Sequence, residues 1–235
     1  MSKSKSVMMS VGCLVLVILL GSVPVEAIEQ EGMTWEELAA NNPPQAAGTS
    51  VAVMPFWATN ERQTELARGA VLLNLLRLGF QLVPEVGSLA AVAAETDNAV
   101  EADTEREPGA RLGRQDATRV GQLLGAQYAI YGEIEALRTD MHRRFFRNRK
   151  VGAIDIRFVI VNTESGEILY WTRIQDTGSG GTGFWAAKAT SIERRLLVRT
   201  VNHIFDDIAR ALPGHSIGPE VTQEQVQEFV EEMGL

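Results

Sequence analysis

The sequence predicts a single α/β domain, built as a two-layer or three-layer sandwich around a mixed β-sheet. Two neighbouring runs, residues 127–137 and 153–162, place apolar residues at the period of two that is typical of strands. A third run, residues 167–175, follows a short segment whose Asn, Ser and Gly suit a hairpin turn. We expect these three strands to pair in order as an antiparallel meander, with helices covering the sheet.

The chain before the meander is predicted to alternate between strand and helix. An apolar run stops near Pro55, which lacks the backbone N–H that a central strand needs. The leucines that follow recur every three to four residues, and Gly79 stands where a helix commonly ends. The predicted elements of this half are a strand at 51–56, a helix at 64–78, a strand at 80–84, and helices at 89–95 and 116–124.

Two helices are predicted after the meander. Residues 189–212 carry one wide apolar stripe at helical spacing, and Pro213-Gly214 ends it. In the tail, Thr222 and Gln225 have the spacing of a capping box, which predicts a helix that docks on the domain or on a partner. The predicted order within the domain, before the tail, is β-α-β-α-α-β-β-β-α.

The amino-terminal residues are typical of a secretory leader. Two lysines precede an apolar run of about 14 residues, which is shorter than the ~20 residues of a membrane-spanning helix. Small residues before Ala27 predict cleavage there and export to the periplasm. Lipidation at Cys13 and a retained leader are the alternatives. The predicted organisation is a signal peptide at 1–27, a linker at 28–49, the α/β domain at 50–213 and a helical tail at 214–235.

Composition excludes several functions. A formal net charge of −8 disfavours general nucleic-acid binding, because phosphate affinity comes from Lys and Arg. The single cysteine lies in the leader, so the exported chain has no thiol nucleophile. The three histidines have no ligand spacing, and no hydrolase or metalloprotease motif is present. We therefore predict no catalytic residue, no cofactor and no metal ligand.

A glycine-rich segment matches a nucleotide-binding pattern by letter. Gly178, Gly180 and Gly183 have the G-x-G-x-x-G spacing, but no later strand completes a βαβ unit. We predict a flexible loop here. The alternative is a nucleotide-binding enzyme that uses residues 178–183.

A basic segment, residues 138–150, is expected to connect the first two meander strands. It carries a net charge of +5 on an acidic chain. One interpretation is a solvated hairpin end whose charges prevent edge-to-edge aggregation. The other is a contact surface, in which arginines meet an acidic partner or lipid headgroups at the membrane periphery and two phenylalanines act as anchors. The candidate contact residues are Arg143, Arg144, Phe145, Phe146 and Arg147.

Four pieces of sequence occur together in one known family of envelope domains. They are residues 51–56 (VAVMPF), 78–84 (LGFQLVP), 120–133 (VGQLLGAQYAIYGE) and 158–169 (FVIVNTESGEIL). Over about residues 50–212, the chain resembles the periplasmic domain of the curli secretion channel (CsgG-like) family. Relatives of that family include the TolB amino-terminal domain, the flagellar assembly protein T middle domain and the lipoprotein activators of penicillin-binding proteins. The resemblance implies an α/β fold and an envelope location, and no catalytic residue.

The resemblance implies the globular domain without the membrane pore. Curli channels insert two long amphipathic hairpins into the outer membrane, and a spanning strand needs about 9–11 alternating residues. Residues 96–114 are acidic and residues 138–150 are basic, so neither supplies such a pair. The predicted function is an exported, non-enzymatic assembly or adaptor factor with a protein partner of the cell envelope or a second copy of itself. A curli-type secretion component is the alternative.

Overall fold

A computed structural model of the chain describes residues 28–40, 48–83, 113–144, 147–182, 189–212 and 219–233. Within these residues, one mixed sheet has the strand order β1-β6-β5-β4-β2-β3. The predicted helix at 89–95 lies outside the described residues. The strands are β1 (Ile28–Gly32), β2 (Ser50–Val53), β3 (Gln81–Leu82), β4 (Tyr128–Arg144), β5 (Arg147–Asn162) and β6 (Ile168–Thr182); the helices are α1 (Trp35–Ala40), α2 (Glu61–Arg77), α3 (Arg114–Leu123), α4 (Ala189–Ala211) and α5 (Gln223–Met233).

The predicted α/β fold and the three-stranded meander are confirmed. Strand β5 pairs antiparallel with β4 on one side and with β6 on the other. Strand β2 pairs parallel with both β3 and β4, which makes the sheet mixed. The basic connector predicted at 138–150 is wrong as a loop, because both flanking strands continue through it to the pair Arg144–Arg147. Backbone pairing extends these strands although the sequence no longer alternates between apolar and polar residues.

The prediction of a linker at 28–49 is corrected by an additional edge strand and a short helix. Strand β1 pairs antiparallel with β6, from Ile28 opposite Asp176 to Gly32 opposite Thr172. Helix α1 begins with a capping box, in which the backbone N–H of Thr34 donates to Glu37 and that of Glu37 donates to the Thr34 hydroxyl. The sequence did not predict this strand because β1 is polar. An edge strand is held by backbone pairing and needs no apolar face.

Helices α1, α2, α4 and α5 cover one face of the sheet and enclose the main core. Phe158 lies at its centre, with ring centroids 6.2 Å from Phe56, 6.3 Å from Tyr170 and 5.7 Å from Phe205. Tilted and edge-on aromatic pairs of this kind add to the free energy of apolar burial. The apolar stripe predicted for α4 therefore packs on this core and covers it.

The carboxy-terminal helix docks on the domain itself. Its predicted capping box is present, because the backbone N–H of Gln225 donates to the Thr222 hydroxyl and the Gln225 side chain accepts in return. Val226 and Val230 are buried against α2 at Gly69, where an added methyl group would lie 2.6 Å from the side chain of Val230. The tail is thus part of the folded unit.

A buried amide chain fixes the start of this tail. The Asn74 side chain of α2 donates to the Asn202 side-chain oxygen of α4 at 2.9 Å, and Asn202 donates to the carbonyl of Val221 at 2.8 Å. Buried amides of this kind cost free energy when they are unpaired, so the chain specifies one docking position.

On the opposite face, α3 covers only part of the sheet among the described residues. A smaller core lies beneath it, made of Ala52, Met54, Ala117, Val120, Ala129, Val159 and Val161. The turn after β5 is joined to the turn after α3, because the Thr163 hydroxyl and backbone N–H both donate to carbonyls of that turn. The sequence pieces 120–133 and 158–169 therefore meet at one corner of the fold.

Candidate partner-binding surface

The predicted contact residues lie at the end of the β4–β5 hairpin. Arg143 is opposite Asn148, and Arg144 is opposite Arg147, which is the last pair of the ladder. The fold thus brings the backbones of the three arginines together. Phe145 and Phe146 lie outside the described residues.

The β4–β5 hairpin continues well past the point where the described side chains of α4 contact it. There, Leu196 and Ile192 pack on Gly152, and Leu196 also packs on Gly178. The Thr139 hydroxyl donates to Glu193 at 3.1 Å at the same level. From Thr139 to the last pair of the ladder the strand advances by about 16 Å, at about 3.3 Å per residue. The basic end is therefore carried on an arm of sheet.

The glycine-rich segment is strand, which corrects the predicted flexible loop. Gly178 pairs with Gly152, and Gly180 pairs with Lys150, within β6. Gly183 lies outside the described residues. An extended strand directs successive N–H groups to opposite sides, so these groups cannot converge on one pyrophosphate. The nucleotide-binding alternative at residues 178–183 is therefore wrong for the described part of this segment. Gly178 instead makes room for Leu196, because an added methyl group would lie 2.9 Å from that side chain.

A buried ion pair holds α4 to β6 at the base of the arm. The Arg199 guanidinium donates to both carboxylate oxygens of Asp176, at 2.9 and 2.5 Å, and also to the carbonyl of Thr177. The Asp176 side chain is fully buried. Sequence reasoning missed this pair, because neither residue belongs to a local motif and their partnership depends on strand register.

The sheet face that carries α3 also has an ion cluster. Arg173 donates through two nitrogens to Asp155, at 3.0 and 2.8 Å, and it also bonds Glu135. Hydrogen bonding to Asp155 raises the pKa of the Arg173 guanidinium further. Gln175 donates to the same Asp155 carboxylate. The cluster is partly exposed, and its one guanidinium and two carboxylates leave a net charge of −1.

A cavity of about 430 Å³ opens beside this cluster, at the start of α3. Strands β4 and β5 form its floor, and the segment after β2 forms one wall. The sequence analysis did not indicate this cavity. The available signal was the side of β5 that faces α3, where Asp155 and Arg157 are followed by the apolar Val159 and Val161. The lining residues are Pro55, Trp57, Gly113, Arg114, Tyr131, Gly132, Glu133, Arg157, Val159 and Ile168.

Tyr131 reports the electrostatics of this cavity. Burial raises the pKa of its phenol, while the positive charges of Arg157 and Arg114 lower it and the Asp116 carboxylate raises it. Both arginines therefore act on one point in the cavity wall.

Among the described residues, no helix is long and apolar enough to span a bilayer. In the same part of the chain, no cluster of three or more His, Cys, Asp or Glu is arranged to hold a metal ion.

The sequence matches no protein-family model and no curated protein sequence. Its structure is similar to several solved structures. A PelC dodecamer from Paraburkholderia phytofirmans has a TM-score of 0.41 at 9% identity, with 80% of this chain and 98% of that chain covered. Lipoprotein GNA1162 from Neisseria meningitidis has a TM-score of 0.39 at 14% identity, over 67% and 99% of the two chains. The LpoB C-terminal domain from Escherichia coli has a TM-score of 0.35 at 16% identity, over 60% and 93%. At TM-scores below 0.5, these similarities carry no conclusion about function.

Proposed function

We propose that this protein is an exported, non-enzymatic adaptor or assembly factor of the cell envelope, which binds an acidic protein partner through the end of the β4–β5 hairpin. The observation that carries the proposal is the basic arm itself. Residues 138–150 have a net charge of +5 on a chain of net charge −8, and their described part, 138–144 and 147–150, lies in strands that continue past the described side-chain contacts with α4. Concentrating one sign of charge at the end of an arm favours encounter with an oppositely charged surface.

The rigidity of the arm supports a binding role over a purely solvated loop. Strand β5 is paired on both sides up to Arg149, which is opposite His142 on β4 and Thr182 on β6. A preformed surface loses less conformational entropy on binding than a flexible one. Export follows from the predicted leader, and non-enzymatic action from the lack of a catalytic motif in the sequence.

The test is co-purification after crosslinking in cells. The variant Arg143→Glu/Arg147→Glu reverses two charges at the hairpin end. The matched control is Arg62→Glu/Arg195→Glu, because both of its positions are exposed, on helices α2 and α4. We expect the hairpin variant to lose the crosslinked partner and the control to keep it. Equal recovery from both variants would remove the hairpin from the proposal.

Two companion experiments test two other binding partners for the hairpin end. Flotation of the protein with anionic vesicles, lost in the hairpin variant, would indicate lipid headgroups in place of a protein. A concentration-dependent sedimentation coefficient that only the hairpin variant abolishes would indicate a second copy of this chain.

A further inference from the structure

The cavity beside α3 is a preformed site whose walls are held by backbone hydrogen bonds. The backbone N–H of Trp57 donates to the carbonyl of Gly132 at 3.0 Å, and the N–H of Ile134 donates to the carbonyl of Trp57 at 2.8 Å. On the other side, the N–H of Gly113 donates to Asp116 at 2.8 Å. A ligand therefore meets a wall that needs little reorganisation. A volume of about 430 Å³ lies within the range of small-ligand sites.

The cavity offers apolar surface that is open to solvent. Pro55 and Trp57 are partly exposed in its lining, Ile168 has 39% of its surface exposed, and Val159 is buried beneath them. Removing such surface from water stabilises a complex. An apolar or aromatic group of the ligand therefore supplies the main affinity.

The charges that face outward here are positive. Arg114 and Arg157 are exposed, and both lower the pKa of Tyr131 in the same wall. The two nearby carboxylates are buried. Asp116 accepts from Gly113, while Glu133 is part of the cavity lining and has an interaction of its own within the protein. A ligand that enters the cavity therefore meets two guanidinium groups.

We infer that this cavity binds a bulky apolar group that carries a carboxylate. The apolar body packs on Trp57 and Ile168. The carboxylate accepts charge-assisted hydrogen bonds from Arg114 and Arg157. This site is separate from the hairpin end and does not rest on the function proposed for it.

Three probes of one shape test the charge requirement. Indole-3-propionate, its primary amide and tryptamine share the indole ring and differ in carrying a negative, neutral or positive end. Calorimetry on the full exported chain should give saturable binding of the acid, roughly five- to tenfold tighter than the amide, with the amine weakest. Backbone amide shifts should map to Trp57, Tyr131 and Val159.

Two variants separate the charge from the cavity. Arg157→Met keeps an unbranched side chain and removes the guanidinium, so it should weaken the acid about fivefold and leave the amide unchanged. Arg195→Met, on the opposite helical layer, is the control and should change neither. Both altered positions are exposed, so the fold is expected to survive.

The source of the carboxylate is resolved by one more probe, the capped dipeptide N-acetyl-Trp-Glu-amide. Binding as tight as the free acid assigns the site to an acidic peptide segment, and exclusion of the dipeptide assigns it to a free small acid. No saturable binding of any probe, or equal affinity for acid and amine, would overturn the inference.

Discussion

Asp176 and Arg199 form a two-pronged ion pair across the interface of β6 and α4, with the carboxylate fully buried and the guanidinium 30% exposed. Asp176 is also the residue opposite Ile28, so the same position anchors the edge strand β1. Beyond it, β6 continues alongside β5 into the arm. The pair therefore stands where the packed domain gives way to the basic hairpin.

Removing the guanidinium is predicted to destabilise the domain. Arg199→Met leaves a buried carboxylate without its main donor, which costs about 3–5 kcal/mol for a fully enclosed pair and about 2–3 kcal/mol here, because Arg199 is partly exposed. Urea unfolding at pH 7 measures this loss. Arg195→Met, on the same helix but exposed, is the control and should stay within about 0.5 kcal/mol of the parent protein.

Tyr170 is predicted to make the domain sensitive to alkaline pH. Burial raises the pKa of its phenol, and the nearby Asp207 carboxylate raises it further. In the unfolded chain the phenol ionises near pH 10, while in the folded chain it stays neutral to higher pH. The free energy of unfolding is therefore unaffected below about pH 9 and falls above pH 10, by at most about 1.4 kcal/mol per pH unit for this group.

Unfolding titrations at pH 9 and pH 11 check this. In Tyr170→Phe the fall between the two pH values should be smaller than in the parent protein. Tyr128→Phe is the comparison, because burial raises the pKa of Tyr128 as well, although that residue is less buried than Tyr170. An unchanged fall in Tyr170→Phe would contradict the assignment.

Docking of α5 is predicted to depend on the lack of a side chain at Gly69. A larger residue there meets Val230 and Val226, and overpacking of this kind costs about 1–3 kcal/mol. We expect Gly69→Leu to expose the tail to limited proteolysis while the meander stays folded. In its resistance to protease, the tail of Gly69→Ala/Val230→Ala should be closer to that of the parent protein than the tail of Gly69→Ala alone. The reason is that the smaller residue at position 230 leaves room for the added methyl group. A tail that resists protease in Gly69→Leu would show that α5 is held elsewhere.

The meander could be predicted because its strands alternate around one buried face. Ile154, Ile156 and Phe158 are buried as expected from their spacing. Helix α4 and the capping box at Thr222 were equally accessible, because the apolar stripe and the cap are local patterns.

What the sequence did not reveal depends on partners that lie far apart in the chain. Strand β1 has a polar sequence, four of its five residues are exposed to solvent, and its place is set by antiparallel pairing with β6. Gly178 resembled a ligand-binding loop, although its role is to admit Leu196 from α4. The cavity likewise needs α3, β4, β5 and Trp57 together. Single-sequence patterns report period and capping, not such long-range juxtapositions.

The measurement that tests the central claim most directly is site-specific photocrosslinking in the native cell. A photoreactive residue is placed at Arg144, in the last pair of the hairpin, and, as the control, at exposed Glu228 on α5. The account predicts one discrete crosslinked protein from position 144 that is absent from position 228. An exported protein that crosslinks to nothing from position 144, or to the same species from both positions, would contradict it.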